Sequence, residues 1–217
     1  MKRLFIVRHG RTQWNVEKRL QGASGDSPVL QDDLTPYEKL AAYLDQYRFA
    51  AAYTSPLPRA VTSGRLILTR MPHNAGLKLQ PVAGLTEIGF GQWEGKKRAE
   101  LVHDHLALFQ KLSRRENDPG LTALGVEDFN AAGERFAQAL KTIAAVLPAD
   151  ANALIVTHGG IAQLGMRHLT GNDHLLGLKN LSTSLVGVVG NQYYVDVYNQ
   201  TAYLPHVDLN EGNVSIL

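Results

Sequence analysis

The sequence contains no cysteine. That absence excludes disulfides, thiolate zinc sites and every cysteine nucleophile, so any catalysis must use other groups. A marked charge imbalance is also absent: 22 lysines and arginines against 20 aspartates and glutamates leave a formal net charge of +2, too little to point to a nucleic-acid partner. The basic residues gather only in short clusters, among them Lys96-Lys97-Arg98 and Arg114-Arg115, which read as solvated helix surface. No apolar run approaches the ~20 residues of a membrane helix, so no membrane partner is expected. A strand begins almost at Met1 with no apolar signal core ahead of it, and the expected location is cytoplasmic. There are no repeats, no Gly-x-x-x-x-Gly-Lys-Ser/Thr phosphate loop, no Gly-x-Ser-x-Gly nucleophile elbow and no Cys/His zinc pattern. His103 and His105 stand two apart on an expected helix, where they do not share a face as a metal pair would, so they read as surface residues.

What is present suits an ordinary globular chain. Its 217 residues, 44% of them apolar, predict a single domain over 1–217, with a helical cap-like insertion at about 92–150. "RLFIVRHG" is a β-branched and aromatic run stopped by glycine, the pattern of a buried strand feeding a loop. "LTPYEKLAAYLDQY" predicts a helix with Thr35 as N-cap, Pro36 at its first position and Glu38 three residues after the cap. A second strand ends at Ser55, and a helix follows over "RAVTSGRLILTRM". Pro81 restricts any strand around "KLQPV" to a sheet edge. Helices are predicted at about Arg98 to Arg115 and Glu127 to Leu147, parted by the linker "ENDPGLTALG". "NALIVTHGG" is another strand before a helix, and "SLVGVVGNQYYVDVYN" alternates around Gly190-Asn191 as a hairpin does. Strands alternating with helices predict an α/β layered fold with a mainly parallel sheet, which binds ligands beyond the carboxyl ends of its strands. Arg8-His9-Gly10 and Thr157-His158-Gly159-Gly160 both stand at such ends, so adjacent strands would bring the two histidines together.

Cleaving a phosphate monoester without metal or thiolate needs a neutral nucleophile, cations for the phosphoryl oxygens and an acid for the leaving oxygen. His9 can attack as neutral imidazole, because Arg8 and other cations nearby disfavour its protonation. Arg8 and Arg59 can clamp phosphoryl oxygens through guanidinium forks, and His158 can donate to the same oxygens. Glu87, in the glycine-rich "LTEIGFGQWEG", is placed to act as general acid for transfer and as base for the water that follows; beside a phosphate dianion it should hold a proton. Taken singly, each residue has a plainer reading as a loop cap, a salt-bridged helix start or a solvated carboxylate. Together they are harder to dismiss. Trp14, Phe90 and Trp93 read as core or loop packing, with one of them a candidate for the pocket because their motifs adjoin the site.

"RHGRTQWN", "RLQG", "SPLPRAVTSG", "LTEIGFGQWEG" and "VTHGG", in this order, resemble the histidine phosphatase superfamily, in its phosphoglycerate mutase-like branch. The resemblance runs from residue 3 to about residue 190 and implies a three-layer α/β/α sandwich. It implies a phosphohistidine on His9, phosphate contacts from Arg8, Arg59 and His158, Glu87 as proton donor, and neither metal nor other cofactor. It further implies that Asn15 contacts the phosphoryl group and that the loop bearing Gln21 and Gly22 closes over substrate, with Gly159 also at the binding site. Arg11 departs from the family, which usually carries an acidic or amide residue there; an added cation at the pocket mouth is expected to favour a substrate with a second anionic group. The expected activity is hydrolysis of a small phosphorylated metabolite by a monomer or homodimer. The chain is shorter than the mutases it resembles, but Arg114-Arg115 keeps mutase-type transfer as an alternative, because a paired arginine in that region binds the carboxylate in mutases. A catalytically silent phosphoprotein-binding module is a third reading, and the intact set of five residues argues against it.

Overall fold

A computed structural model describes residues 1–208 of the chain. Six strands form one sheet in the order β3-β2-β4-β1-β5-β6, where β1 is Lys2–Arg8, β2 Ala51–Thr54, β3 Leu79–Pro81, β4 Asn152–Thr157, β5 Thr183–Val189 and β6 Gln192–Gln200. β1, β2, β3 and β4 run parallel, while β5 and β6 run antiparallel to their neighbours. Pro81 lies in the edge strand β3, where a missing N–H disrupts no further pairing.

The apolar run of β1 is explained by its two covered faces. Leu4 and Ile6 join one core, Phe5 and Val7 the other, and β4 divides likewise, with Ala153 and Ile155 against Leu154 and Val156. Fully burying an aliphatic side chain of this size stabilises by about 1.5–3 kcal/mol, so these two strands anchor the fold. On the first face lie α4 (Arg98–Arg114), α6 (Phe129–Val146) and α7 (Gly159–Thr170), which contribute Phe109, Phe136 and Met166. On the second lie α2 (Thr35–Leu44) and α3 (Pro58–Leu68), which contribute Leu40, Leu44 and Ile67. This is the three-layer sandwich. The chain leaves β1 toward α2 on one face and leaves β4 into α7 on the other, so the sheet's switch point falls between these two strands.

Three local features differ from expectation. Thr35 is not the N-cap of α2: Leu34 already has near-helical backbone angles, and the Asp33 carboxylate accepts from the Thr35 amide at 2.9 Å instead. The four-residue helix α1 (Gln13–Val16), capped by Thr12, is too short to leave a periodic signal. Within the expected linker, Asp118 accepts from the Gly120 amide at 2.8 Å and starts a short helix, α5 (Pro119–Ala123). No helix among the described residues is long and apolar enough to cross a membrane.

Candidate active site

β1 and β4 pair in register, Arg8 opposite Thr157, and the His9 amide donates to the Thr157 carbonyl at 2.9 Å. The residues that follow, His9 and His158, therefore meet at the switch point with ring centroids 5.1 Å apart. His9 Nδ1 lies 2.7 Å from the Gly10 carbonyl oxygen. A carbonyl only accepts, so Nδ1 carries the ring proton and Nε2 keeps its lone pair. Burial, then the charges of Arg59 and Arg8, push the His9 pKa well below 6.5, against a smaller upward effect of the Gly10 hydrogen bond. A neutral imidazole with an available Nε2 results.

His158 is wholly buried, and its pKa is likewise pushed well below 6.5 by burial, then by Arg59, His9 and Arg8. Arg59 Nε donates to His158 Nδ1 at 3.2 Å, which leaves the proton on Nε2, 2.7 Å from Ser55 Oγ. Both ring nitrogens are thus engaged by protein, and donation to a phosphoryl oxygen would require one to be released. The Arg59 fork is similarly occupied: Nη2 donates to the Gly22 carbonyl at 2.8 Å, and Nη1 to the Gly25 carbonyl and Asp26, both at 3.1 Å. The same loop is gripped from its amide side by Glu94, whose carboxylate accepts from Ala23 at 3.1 Å, Ser24 at 2.9 Å and Gly25. A cation holds the carbonyls of this loop and an anion holds its amides.

Glu87 is buried at the N-terminus of α7. Its Oε1 accepts from the amides of Ile88 at 3.0 Å and Ile161 at 2.7 Å, and Oε2 from Gly160 at 3.1 Å. The first helical amides of α7 have no partner within the helix, so a carboxylate is well placed there. Gly160 is closely packed: a Cβ there would sit 3.0 Å from Glu87 Oε1 and 3.3 Å from Arg115 Nη2. At Gly159 a Cβ would meet Arg8 Nε at 3.1 Å.

One cavity at the carboxyl ends of β1 and β4 joins most of the residues expected at the site. Arg8, His9, Asn15, Gln21, Glu87 and Gly159 all line it. Asn15 accepts from the Thr12 amide through Oδ1 at 3.1 Å, and the Gln21 amide nitrogen is buried with no hydrogen-bond partner among the described residues. Arg59 and His158 adjoin His9 but do not line this cavity, and Gly22 takes part through its carbonyl on Arg59. Arg11 is not brought here. It is exposed and lines a separate groove with Asp32, Asp33 and Tyr37, because its carbonyl pairs with the Leu30 amide at 2.8 Å as the chain leaves the site. The cations at the cavity's other side are Arg19, Arg98 and Arg115, joined by Phe90 and Gln163. Gln163 was within reach of sequence reasoning, since it follows Gly159 by one helical turn. Arg115 was harder, because it ends α4 in a left-handed conformation (φ 62°) that turns it inward. Burial lowers its pKa to about 10, and its Nε is buried with no hydrogen-bond partner among the described residues. His103 and His105 are exposed, and no cluster of three metal-ligating side chains occurs among the described residues.

A sequence model of the histidine phosphatase superfamily, branch 1, matches residues 4–201. The chain belongs to this superfamily. It is 30% identical over 198 residues to fructose-2,6-bisphosphatase TIGAR B of Danio rerio, a match spanning 76% of this chain and 74% of the relative. It is 25% identical over 205 residues to the metal-independent phosphoserine phosphatase of Arabidopsis thaliana, covering 94% and 84% of the two chains. Among solved structures, Bacillus stearothermophilus YhfR superposes with a TM-score of 0.81 at 25% identity, over 94% of this chain and 99% of that one.

The two buried imidazoles of this histidine phosphatase have a consequence for stability. Unfolded, each binds a proton below about pH 6.5, whereas folded it stays neutral to lower pH. Between those values the unfolded state binds more protons, so this stabilisation is complete above about pH 6.5 and is lost as pH falls through the folded-state values. Each histidine should add a slope of about 1.4 kcal/mol per pH unit in that window. Urea unfolding between pH 7 and pH 5 measures this, and His9→Ala should remove roughly half of the dependence. A flat profile would mean that the buried rings take up protons without unfolding.

Proposed function

We propose that this chain is a metal-independent phosphomonoesterase that hydrolyses a small phosphorylated metabolite through a phosphohistidine on His9. The observation that carries the reading is the His9 tautomer: Nδ1–H is committed to the Gly10 carbonyl, and Nε2 has no hydrogen-bond partner among the described residues, in a cavity shared with Arg8 and Glu87. Nε2 attacks phosphorus as the ester P–O bond breaks, and the leaving oxygen takes a proton from Glu87. Water then attacks phosphorus, gives its proton to the Glu87 carboxylate and breaks the N–P bond, which releases phosphate and restores neutral His9. Arg8, Asn15 and the Gln21 amide supply donors to the phosphoryl oxygens, and Gly159 leaves room for the Arg8 side chain. Arg59 and His158 reach those oxygens if substrate displaces part of their present bonding; as the protein stands, they hold the loop and the ring beside the nucleophile. Hydrolysis is favoured over transfer because the relatives at fructose-2,6-bisphosphatase and phosphoserine phosphatase level carry names of hydrolases. The test is phosphate release from p-nitrophenyl phosphate in EDTA: release that survives chelation supports the reading, and none from folded protein contradicts it.

Recognition of a second anionic group, expected at Arg11, falls instead to Arg19, Arg98 and Arg115, which line the cavity. Arg115→Ala should raise KM for a phosphorylated carboxylic acid about tenfold or more while sparing p-nitrophenyl phosphate, since a charged hydrogen bond is worth about 1.5–3 kcal/mol. Arg11→Glu should leave the ranking of the two substrates unchanged. The same cationic end also suits a mutase-type reaction, in which the phosphoryl group returns to bound product; isomerised phosphoester without phosphate release would identify it.

A further inference from the structure

Gly10 has no side chain to fix it, yet its carbonyl sets the tautomer of His9. The peptide between His9 and Gly10 is held at both ends: Asn180 Nδ2 donates to the His9 carbonyl at 2.8 Å, and the Gly10 amide donates to Ser63 Oγ at 2.9 Å. Ser63 is wholly buried in α3, one turn after Arg59, and its hydroxyl donates back to the Arg59 carbonyl at 2.7 Å. With its proton committed there, its oxygen can only accept. Tyr37, whose phenol stays protonated because burial pushes it to about 12, sits 3.4 Å from the same oxygen. Tyr37 also closes the space beside Gly10, where a Cβ would fall 1.8 Å from the phenol oxygen. One hydroxyl thus joins the backbone of the nucleophile's loop to the helix that carries Arg59.

We propose that Ser63 is a positioning residue: by holding the Gly10 amide, its hydroxyl keeps the Gly10 carbonyl against His9 Nδ1 and leaves Nε2 as the free base. Without it the Gly10 amide loses the partner it has among the described residues, and the glycine, still held at the preceding carbonyl by Asn180, gains freedom to turn its own carbonyl away from the ring. The Nδ1–H form then loses the fixed acceptor that favours it over the Nε2–H form, in which the attacking lone pair is absent. The proposal rests on His9 as nucleophile for its effect on turnover, but its effect on the tautomer can be read without any turnover.

The deciding comparison is Ser63→Thr against Ser63→Val, nearly equal in shape and different in the hydroxyl, with Ser63→Ala alongside. Long-range proton–nitrogen NMR of histidine-labelled protein near pH 7 reports the His9 tautomer, and steady-state hydrolysis of p-nitrophenyl phosphate reports kcat. Ser63→Thr should keep the Nδ1–H tautomer and most of the activity. Ser63→Val should show a mixture of tautomers and a kcat lower by about tenfold to a hundredfold, the scale on which small misplacement of a reacting group acts. Thr and Val variants with the same tautomer and kcat within twofold would overturn the proposal, whatever their melting temperatures, because the hydroxyl would then matter for packing alone. Wild-type protein without hydrolysis would count against the phosphatase reading and leave the tautomer comparison standing.

Discussion

Substituting His9 by alanine is expected to lower kcat by about 10⁴-fold or more while the fold survives. The chain has no cysteine, and both ring nitrogens of His158 are engaged, by Arg59 and by Ser55, so neither offers a lone pair in place of His9. The substitution leaves the cores on both faces of β1 intact, since Leu4, Phe5, Ile6 and Val7 carry that packing. It also removes a ring whose protonation destabilises the protein in acid. Phosphate release and a thermal melt on the same preparation check both halves. Residual turnover above about one per cent of wild type would mean that the phosphoryl group reaches water by another route.

A second large effect is expected at Glu87, and it should depend on the leaving group. An alkyl phosphate needs a proton on its departing oxygen, so Glu87→Gln should lower kcat for such a substrate by about 10²–10⁴-fold. p-Nitrophenolate leaves without that help, so the first turnover should be nearly spared and later ones slowed, because water must still attack the phosphohistidine without a base. Rapid mixing should therefore show a burst of nitrophenolate close to one per enzyme, followed by a slow phase. The variant also loses a hydrogen bond: with Oε1 still accepting from Ile88 and Ile161, the new NH₂ group faces the Gly160 amide, a cost of about 1–3 kcal/mol. A uniform loss across leaving groups, without a burst, would move the acid to another residue.

The parts of this account legible in the sequence were those set by strand ends. An apolar run stopped by Arg8-His9-Gly10 and another stopped by Thr157-His158 have one sensible arrangement in a parallel sheet, and β1 and β4 adopt it. Glu87 was visible through its glycine-rich setting, although its seat on the α7 amides was not. Side-chain direction within loops was the blind spot. Arg11 stands two residues from the nucleophile, yet the pairing of its carbonyl with Leu30 carries it to another groove. Arg115, distant in sequence, reaches the cavity because of one left-handed residue at the end of α4, with no glycine to announce the turn. Of the three aromatic candidates, Phe90 lines the cavity while Trp93 is buried in the core and Trp14 packs over Gly25 and Gly95. The clamp on the loop after Gln21 was equally hidden, since it depends on Glu94 and Arg59 approaching the same backbone from opposite sides.

The central claim is that the phosphoryl group rests on His9 between transfer and hydrolysis. Mixing the protein with p-nitrophenyl phosphate, quenching in alkali and mapping phosphate by mass spectrometry tests it most directly, because phosphohistidine survives base and decays in acid. The account predicts phosphate on the peptide containing His9 in wild type, more of it in Glu87→Gln, and none in His9→Ala. Phosphate on another residue, or hydrolysis with no phosphorylated peptide in Glu87→Gln, would contradict it.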